Sequence, residues 1–278
     1  MISAIILTLN EAEDLPKCLD SLDWTDQNFV LDSGSTDKTC EIASSMGAIV
    51  YKNKFEGFGQ QRCWAIDNIP VKSDWILFID ADEVSTPKFA SAVLDAIRNT
   101  KNETAGFYCC WKLMLYGKWL KFSDSFPRWQ FRILKKGKAR YRDAGHAMKE
   151  AQVEGKLEYL KEPYLHFAFS KGWTFWFNRH NKYSSLEAIE RTNTNYRLMH
   201  IFHRDQSIRK EAVKQYVTVI PGWPTLRCFH SYFLKGGIFE GLPGLLYSIN
   251  ISIYEYMIQL KILELKKIET KLTQGKQS

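Results

Sequence analysis

Three short polar clusters, each closing an apolar run of strand length, constrain this chain more than any other feature. Thr8-Leu9-Asn10-Glu11 ends the run Ala4–Leu9, Asp32-Ser33-Gly34-Ser35 follows Asn28–Leu31, and Asp80-Ala81-Asp82-Glu83 follows Asp74–Ile79. Helical patterns lie between the runs. Glu13–Leu22 sets Leu15, Leu19 and Leu22 on one face, and Gln60–Asn68 reads as a second helix. Another starts at a cap, Thr36 or Asp37, and stops at Gly47, ahead of a strand over Ala48–Tyr51. Thr86–Arg98 carries Pro87 in its first turn, where a missing N–H costs nothing. The run Trp75–Ile79 is apolar without alternation, as a strand covered on both faces must be. Alternating βαβα order of this kind predicts an α/β, doubly wound, mostly parallel sheet with right-handed crossovers. Such a sheet binds ligands beyond the carboxyl ends of its strands, which is where all three clusters fall.

The texture changes after about residue 105. From Ala105 to His180 there are 18 aromatic residues, mixed with basic ones, and strands are expected at Phe107–Trp111, Arg132–Lys135 and Tyr164–Phe169. From Trp173 helices return, one through Asn181–Arg191, one near Ile208–Val219 and a last one from about Gly244 to Lys271; the tail Lys271–Ser278 reads as disordered. The net charge of +7 conceals a division, −8 over residues 1–110 against +15 over 111–278. A chain so polarised does not suit a nucleic-acid coat, and nucleic acid is not expected as a partner. Six cysteines without a C-x-x-C pair read as reduced thiols in a cytoplasmic protein. No run of 18 apolar residues occurs, so a spanning helix is not expected. The segment Leu245–Leu265, ending in Lys261, Lys266 and Lys267, could lie in the headgroup plane of an anionic membrane. It could equally be a core helix or a dimer face.

The first cluster lacks the G-x-G-x-x-G turn of NAD and FAD sites. The third sets three carboxylates within four residues at the mouth of a buried strand. They repel one another unless a cation intervenes, and hard oxygen donors select Mg²⁺ or Mn²⁺. Taken one at a time, the clusters could be ordinary turns and caps; on one sheet edge they read as a nucleotide–metal pocket.

T-x-N-E after the first strand, D-S-G-S-T-D-K-T after the second, Gly57-Phe-Gly-Gln-Gln-Arg62 and F-I-D-A-D-E together resemble inverting family 2 glycosyltransferases of the GT-A fold. The branch resembled is bacterial enzymes adding a sugar, typically β-linked glucose, to lipopolysaccharide core or other surface glycans. The resemblance implies a GT-A-type doubly wound, mostly parallel sheet with a C-terminal acceptor-side extension rich in aromatics and helices. Residues 1–105 would be the nucleotide-sugar-binding half, 106–190 the acceptor-side half of the same catalytic domain, and 191–278 a helical, membrane-associating region. It implies a nucleotide-sugar donor, UDP-glucose first, a divalent metal, and a glycolipid or oligosaccharide acceptor met on the cytoplasmic face of the inner membrane. Carried over residue by residue, Thr8, Asn10, Glu11 and Asp32 hold the nucleoside, Arg62 and Arg132 face the nucleotide sugar, Asp80 meets the ribose–metal region, and Asp82, with Asp80, ligates the metal. Cys63 stands where the family often has Asn.

Inversion needs a carboxylate opposite the leaving diphosphate to take the acceptor proton. Candidates lie in Arg142-Asp-Ala-Gly-His146-Ala-Met-Lys-Glu150, with Glu150 favoured, Asp143 second and Glu154 nearby. The His-Glu step of relatives is opened here to His146 and Glu150. Arg128 could stand beside the diphosphate, Trp129 against a sugar face, and His166 falls where relatives carry His. The Q-x-x-R-W signature of processive enzymes is absent, so one transfer per encounter is expected. Two other readings stay open. Asp80 and Asp82 resemble the D-x-D-x-V of phosphohydrolases, and the basic half alone would suit a non-enzymatic membrane or nucleic-acid adaptor.

Overall fold

The structure, a computed structural model, describes residues 1–144, 147–193, 196–218 and 220–275. Within them the chain forms two compact units, Met1–Lys121 with Ser125–Gly172, and Phe122–Asp124 with Trp173–Ser278.

The first unit opens with strand β1 (Ile2–Thr8), helix α1 (Leu15–Asp20), β2 (Asn28–Asp32), α2 (Thr39–Ser45), β3 (Ile49–Lys52), α3 (Phe58–Asn68) and β4 (Trp75–Asp80). A two-residue strand β5 (Glu83–Val84) and α4 (Pro87–Arg98) follow. Thr86 caps α4, its hydroxyl accepting from the Phe89 N–H at 3.1 Å. Then come β6 (Thr104–Leu115), β7 (Lys118–Trp119), β8 (Trp129–Lys135), a hairpin β9 (Arg140–Ala144) and β10 (Ala147–Ala151), and β11 (Lys156–His166). The main sheet runs β3-β2-β1-β4-β8-β6-β11-β5. Its first four strands are mutually parallel, β8 and β5 run against the rest, and β6 and β11 pair in parallel. The α/β, mostly parallel sheet read from the sequence is therefore the observed one.

Period-two geometry explains the core. Trp75, Leu77 and Ile79 of β4 point to one face, into a cluster with Ile2, Ile6, Leu15, Phe89 and Phe107. Ile76 and Phe78 point to the other, with Ile5, Phe29, Leu31, Phe131 and Tyr141. A run buried on both sides cannot alternate in polarity, which is why this segment reads as unbroken hydrophobicity.

Several boundaries differ from expectation. β6 covers Thr104–Leu115, not five residues, and β8 begins three residues earlier, at Trp129. β11 ends at His166, although the Phe167 N–H carries its pairing with β5 one bond further, donating to the Asp82 carbonyl at 2.8 Å. The β9–β10 hairpin escaped the sequence reading, its strands being too polar to stand out. His146 lies outside the described residues.

The second unit is helical: α5 (Gly172–Asn193, within this unit from Trp173), α6 (Gln206–Val217), α7 (Trp223–Phe229) and α8 (Leu242–Gly275). α5 runs through the expected Asn181–Arg191 and takes in the aromatic run from Trp173, where helices were expected to return. α8 continues to Gly275, so the tail expected to be disordered from Lys271 is helical over most of its length. Val219, at the expected end of a helix, lies outside the described residues. The interior is polar as well as apolar: Arg191 donates to Glu187 (3.0 Å), Thr218 (2.7 Å) and Glu255 (2.9 Å) beside Ala188, Ile258 and Ile262. Among the described residues no helix is long and apolar enough to cross a membrane.

Gly106 of β6 pairs with Leu134 just ahead of the β6–β8 register shift between Phe107 and Tyr108, and a Cβ there would sit 2.4 Å from the Ile133 carbonyl oxygen and 2.5 Å from the Phe131 ring. Gly106→Ala is expected to lower stability by about 1–3 kcal/mol through overpacking, read as a lower urea midpoint at unchanged m-value.

Candidate active site at the carboxyl ends of the parallel strands

β1, β2 and β4 deliver their terminal residues to one edge, in the registers Thr8↔Asp32 and Leu7↔Asp80. Asp32 is buried and accepts from the Thr8 hydroxyl (3.0 Å), the Gly34 N–H (2.9 Å) and the Ser35 N–H (2.8 Å). Burial opposes its charge, but these donors hold the carboxyl below the usual carboxylate range. Asn10, in the left-handed region at φ 55°, accepts from the Thr36 N–H at 2.8 Å, while its own N–H donates to the Ser35 hydroxyl at 2.8 Å. The T-x-N-E and D-S-G-S-T segments thus form one interlocked double loop.

Glu11 turns inward. Lys171 of the loop after β11 reaches its carboxylate at 2.6 Å and donates to the Asn10 carbonyl at 2.6 Å, and Ser170 donates to Asp14 at 2.7 Å. Burial pushes the Glu11 carboxyl up to about 7 even against Lys171.

The end of β4 is an ionic lattice. Asp80 accepts from Arg62 of α3 at 3.1 Å and from Arg132 of β8 at 2.8 Å. Arg132 also pairs with Glu83 at 2.5 Å and donates from Nε to the Tyr164 hydroxyl oxygen at 3.2 Å, while Glu83 accepts the Asp80 N–H at 2.8 Å. Arg62, Arg132 and Glu83 are buried, whereas the Asp80 side chain keeps 34% of its surface. Burial works against ionising Asp80, but Arg132 and Arg62 outweigh it and hold the carboxyl far down. A carboxylate so engaged is a poor nucleophile, which counts against the phosphohydrolase reading.

Asp82, two residues on, meets His166 at the end of β11, with Oδ2 3.4 Å from Nε2. These donors suit a divalent ion. Among the described residues no three metal-binding side chains converge. A carboxylate and an imidazole leave most of the coordination sphere to a bound diphosphate and water, as is usual for such ions at phosphate sites. Asp80 is placed differently, with both of its oxygens on guanidinium groups. Among the described residues Arg62 Nε, Arg132 Nη1, His166 Nδ1 and Glu11 Oε2 are buried without a hydrogen-bond partner, so this edge has polar capacity its own fold does not use.

The two base candidates part company. Asp143 of β9 seats on the first turn of α3, accepting the Gly59 N–H at 2.7 Å. Gly57 and Gly59 permit that approach, since a Cβ on either would come within 2.4–2.5 Å of Asp143 or the Arg142 backbone. Glu150 of β10 stands opposite Tyr141 in the hairpin and, with burial, raises the Tyr108 phenol. Glu83, Lys171 and Tyr164 belong to this lattice without having been singled out. Glu83 stood in view in the acidic cluster; nothing local marks Lys171 or Tyr164, whose partners are 32–160 residues away.

Arg132→Met should strip the buried Glu83 and the half-buried Asp80 of their shared partner and destabilise the unit by about 3–5 kcal/mol in urea unfolding. Arg132→Lys, which cannot fork, should recover only part of that loss.

The family model for glycosyl transferase family 2 matches residues 3–148, more than half the chain. The lipopolysaccharide core biosynthesis glycosyltransferase LpsC of Rhizobium meliloti is 25% identical over 268 residues, 94% of this chain and 91% of that protein. An uncharacterized glycosyltransferase of Rickettsia bellii is 45% identical over 83 residues, which span 30% of this chain and only 28% of the relative's length. Among solved structures, S. aureus TarS 1-349 in complex with UDP-GlcNAc aligns over 96% of this chain and 91% of its own, with 14% identity and a TM-score of 0.47. On the family match, this chain belongs to glycosyl transferase family 2.

Proposed function

We propose that the protein transfers a hexose, glucose in the first instance, from a UDP-sugar to a lipid-linked glycan such as lipopolysaccharide core, with inversion at the anomeric carbon. The observation that carries this reading is the meeting of Asp82 and His166 beside the Asp80–Arg62–Arg132 lattice, at the strand ends where a nucleotide diphosphate belongs. The acceptor class rests on the likeness to the lipopolysaccharide core enzyme, which runs over nearly the whole chain.

In this reading Thr8, Asn10, Glu11 and Asp32 frame the nucleoside, with Asp32 working through the loop it organises. Asp80 reaches the ribose with the part of its carboxylate that stays exposed. Arg62 and Arg132 fix Asp80 and set a positive field along the diphosphate. Asp82 and His166 would hold a divalent ion, Mg²⁺ or Mn²⁺, which supplies charge neutralisation of the leaving diphosphate. Glu150 is the base we favour. Its carboxylate engages the Tyr108 hydroxyl, whereas Asp143 caps the first turn of α3 through the Gly59 N–H and has less freedom to turn toward an acceptor proton. Trp129 and Arg128 stay candidates for the sugar and diphosphate on the acceptor side.

Purified protein with Mn²⁺ and a panel of UDP- and GDP-sugars should hydrolyse one donor slowly, and a lipid-linked core oligosaccharide should accelerate its consumption. The expected donor is UDP-glucose, with a β-linked product by NMR. Asp82→Ala should lower transfer roughly a hundredfold or more, with a matching loss of Mn²⁺-dependent UDP binding by calorimetry. Undiminished transfer in that variant would overturn the metal assignment. Glu150→Gln should cost on the order of a hundredfold in kcat with little change in donor binding, and full activity would move the base elsewhere.

A further inference from the structure

The helical unit presents an apolar surface that its own packing leaves uncovered. Leu226, Phe229, Phe233, Leu234, Phe239 and Leu242 are all half or more exposed, from 51% at Phe229 to 78% at Phe239, within 17 consecutive residues. The local backbone explains why. After α7 the chain widens into a π turn at His230–Leu234, then tightens into a 3₁₀ turn at Gly237–Glu240, between Gly236 at φ 86° and Gly241 at φ 66°. Neither turn keeps the 3.6-residue period that would roll one apolar stripe inward, so neighbouring side chains such as Phe233 and Leu234 face out together. Phe229 and Phe233 touch, with ring centroids 5.0 Å apart, and Phe122 lies 6.5 Å from Phe239.

The charge of the same stretch is one-sided. Arg227, His230 and Lys235 lie within it, Arg227 standing 3.5 Å from His230. Its one acid, Glu240, is 2% exposed and consumed internally, accepting the Phe122 N–H at 2.6 Å and the Ser123 N–H at 3.2 Å. A second copy of the chain is a poor match, because a two-fold contact would set these cations against one another with no exposed acid to pair them. A surface that is apolar below and anionic above satisfies both features at once.

We propose that residues 226–242 dock on an anionic lipid bilayer, with Phe233, Leu234, Phe239 and Leu242 entering among the acyl chains and Arg227 and Lys235 at the lipid phosphates. This deepens the lipid-linked acceptor reading above and rests on it. It also moves the membrane contact from the stretch Leu245–Leu265 to the turns before α8 and the first residue of that helix. Lys261, a headgroup candidate in the sequence, instead donates to the Asn181 carbonyl (2.5 Å), Ser184 (2.7 Å) and Ser185 (2.8 Å) inside the unit.

The full chain should co-sediment about tenfold better with vesicles containing roughly one-third phosphatidylglycerol than with phosphatidylcholine alone, and lose that preference at high salt. Leu234→Ser with Phe239→Ser should reduce binding about tenfold or more while circular dichroism and donor hydrolysis stay unchanged. Arg227→Gln with Lys235→Gln should abolish the preference for anionic lipid, and Leu260→Ser with Leu263→Ser on α8 should bind as the wild type does. The indole introduced by Phe239→Trp should be quenched by lipids brominated in their acyl chains. Wild-type binding by the Leu234/Phe239 variant, loss of binding in the α8 variant, an unquenched indole, or a dimer that the Leu234/Phe239 variant dissolves would each overturn the proposal. Should vesicle binding fail while donor hydrolysis persists, only this docking surface falls; absence of donor hydrolysis in the wild type would instead remove the enzymatic reading beneath it.

Discussion

Asp80, held between the guanidinium groups of Arg62 and Arg132, is the interaction on which the rest of the first unit depends. It joins α3, β4 and β8, three segments distant in sequence, at one carboxylate. Arg132 extends the connection to Glu83 and to Tyr164 of β11. Burying this much charge is unfavourable unless each member is matched. Here two carboxylates meet two guanidinium groups, so the lattice tolerates only one arrangement of the strands around it. The cost yields a carboxylate that stays ionised and partly exposed at the strand ends, where a nucleotide's ribose and diphosphate would need fixed charges that do not have to reorganise.

Much of this was legible because it is local. The strands β1, β2 and β4 and the caps and turns that follow them are set by periods of two and 3.6 and by residues such as Pro87, Gly47 and Thr86, all within a few positions of what they control. The placement of Thr8, Asn10, Asp32, Asp80 and Asp82 on one edge then follows from topology alone. Partner identity was not legible. Lys171 meets Glu11 across 160 positions and His166 meets Asp82 across 84, and no periodic pattern records such distances. The β9–β10 hairpin was missed for a related reason. Its strands hold Arg142, Asp143, Lys149 and Glu150; they pair with each other and, among the described residues, turn only Tyr141 and Met148 to the core, too few apolar positions to stand out.

The same distinction separates the two candidate bases. In the sequence Asp143 and Glu150 are equivalent, two acids in one polar stretch. The fold distinguishes them through glycines 84 or more positions upstream, since only a side-chain-free Gly57 and Gly59 let β9 close on the end of α3. The motif Gly57-Phe-Gly-Gln-Gln-Arg62 therefore has two tasks: its glycines admit a strand, and its arginine reaches Asp80.

Residues 122–124 belong to the helical unit although the chain on either side of them belongs to the sheet unit. Ser123 and Asp124 are buried there, held by Glu240 and by the Tyr247 hydroxyl, which donates to Asp124 at 2.6 Å. The polypeptide thus passes from one unit to the other three times, and no single cut divides them. A chain ended after Gly172 would keep a three-residue loop whose partners had been deleted, leaving a carboxylate and two backbone N–H groups to find water instead. For this architecture the smallest piece that can be expected to fold with all its buried polar groups satisfied includes the helices as well as the sheet.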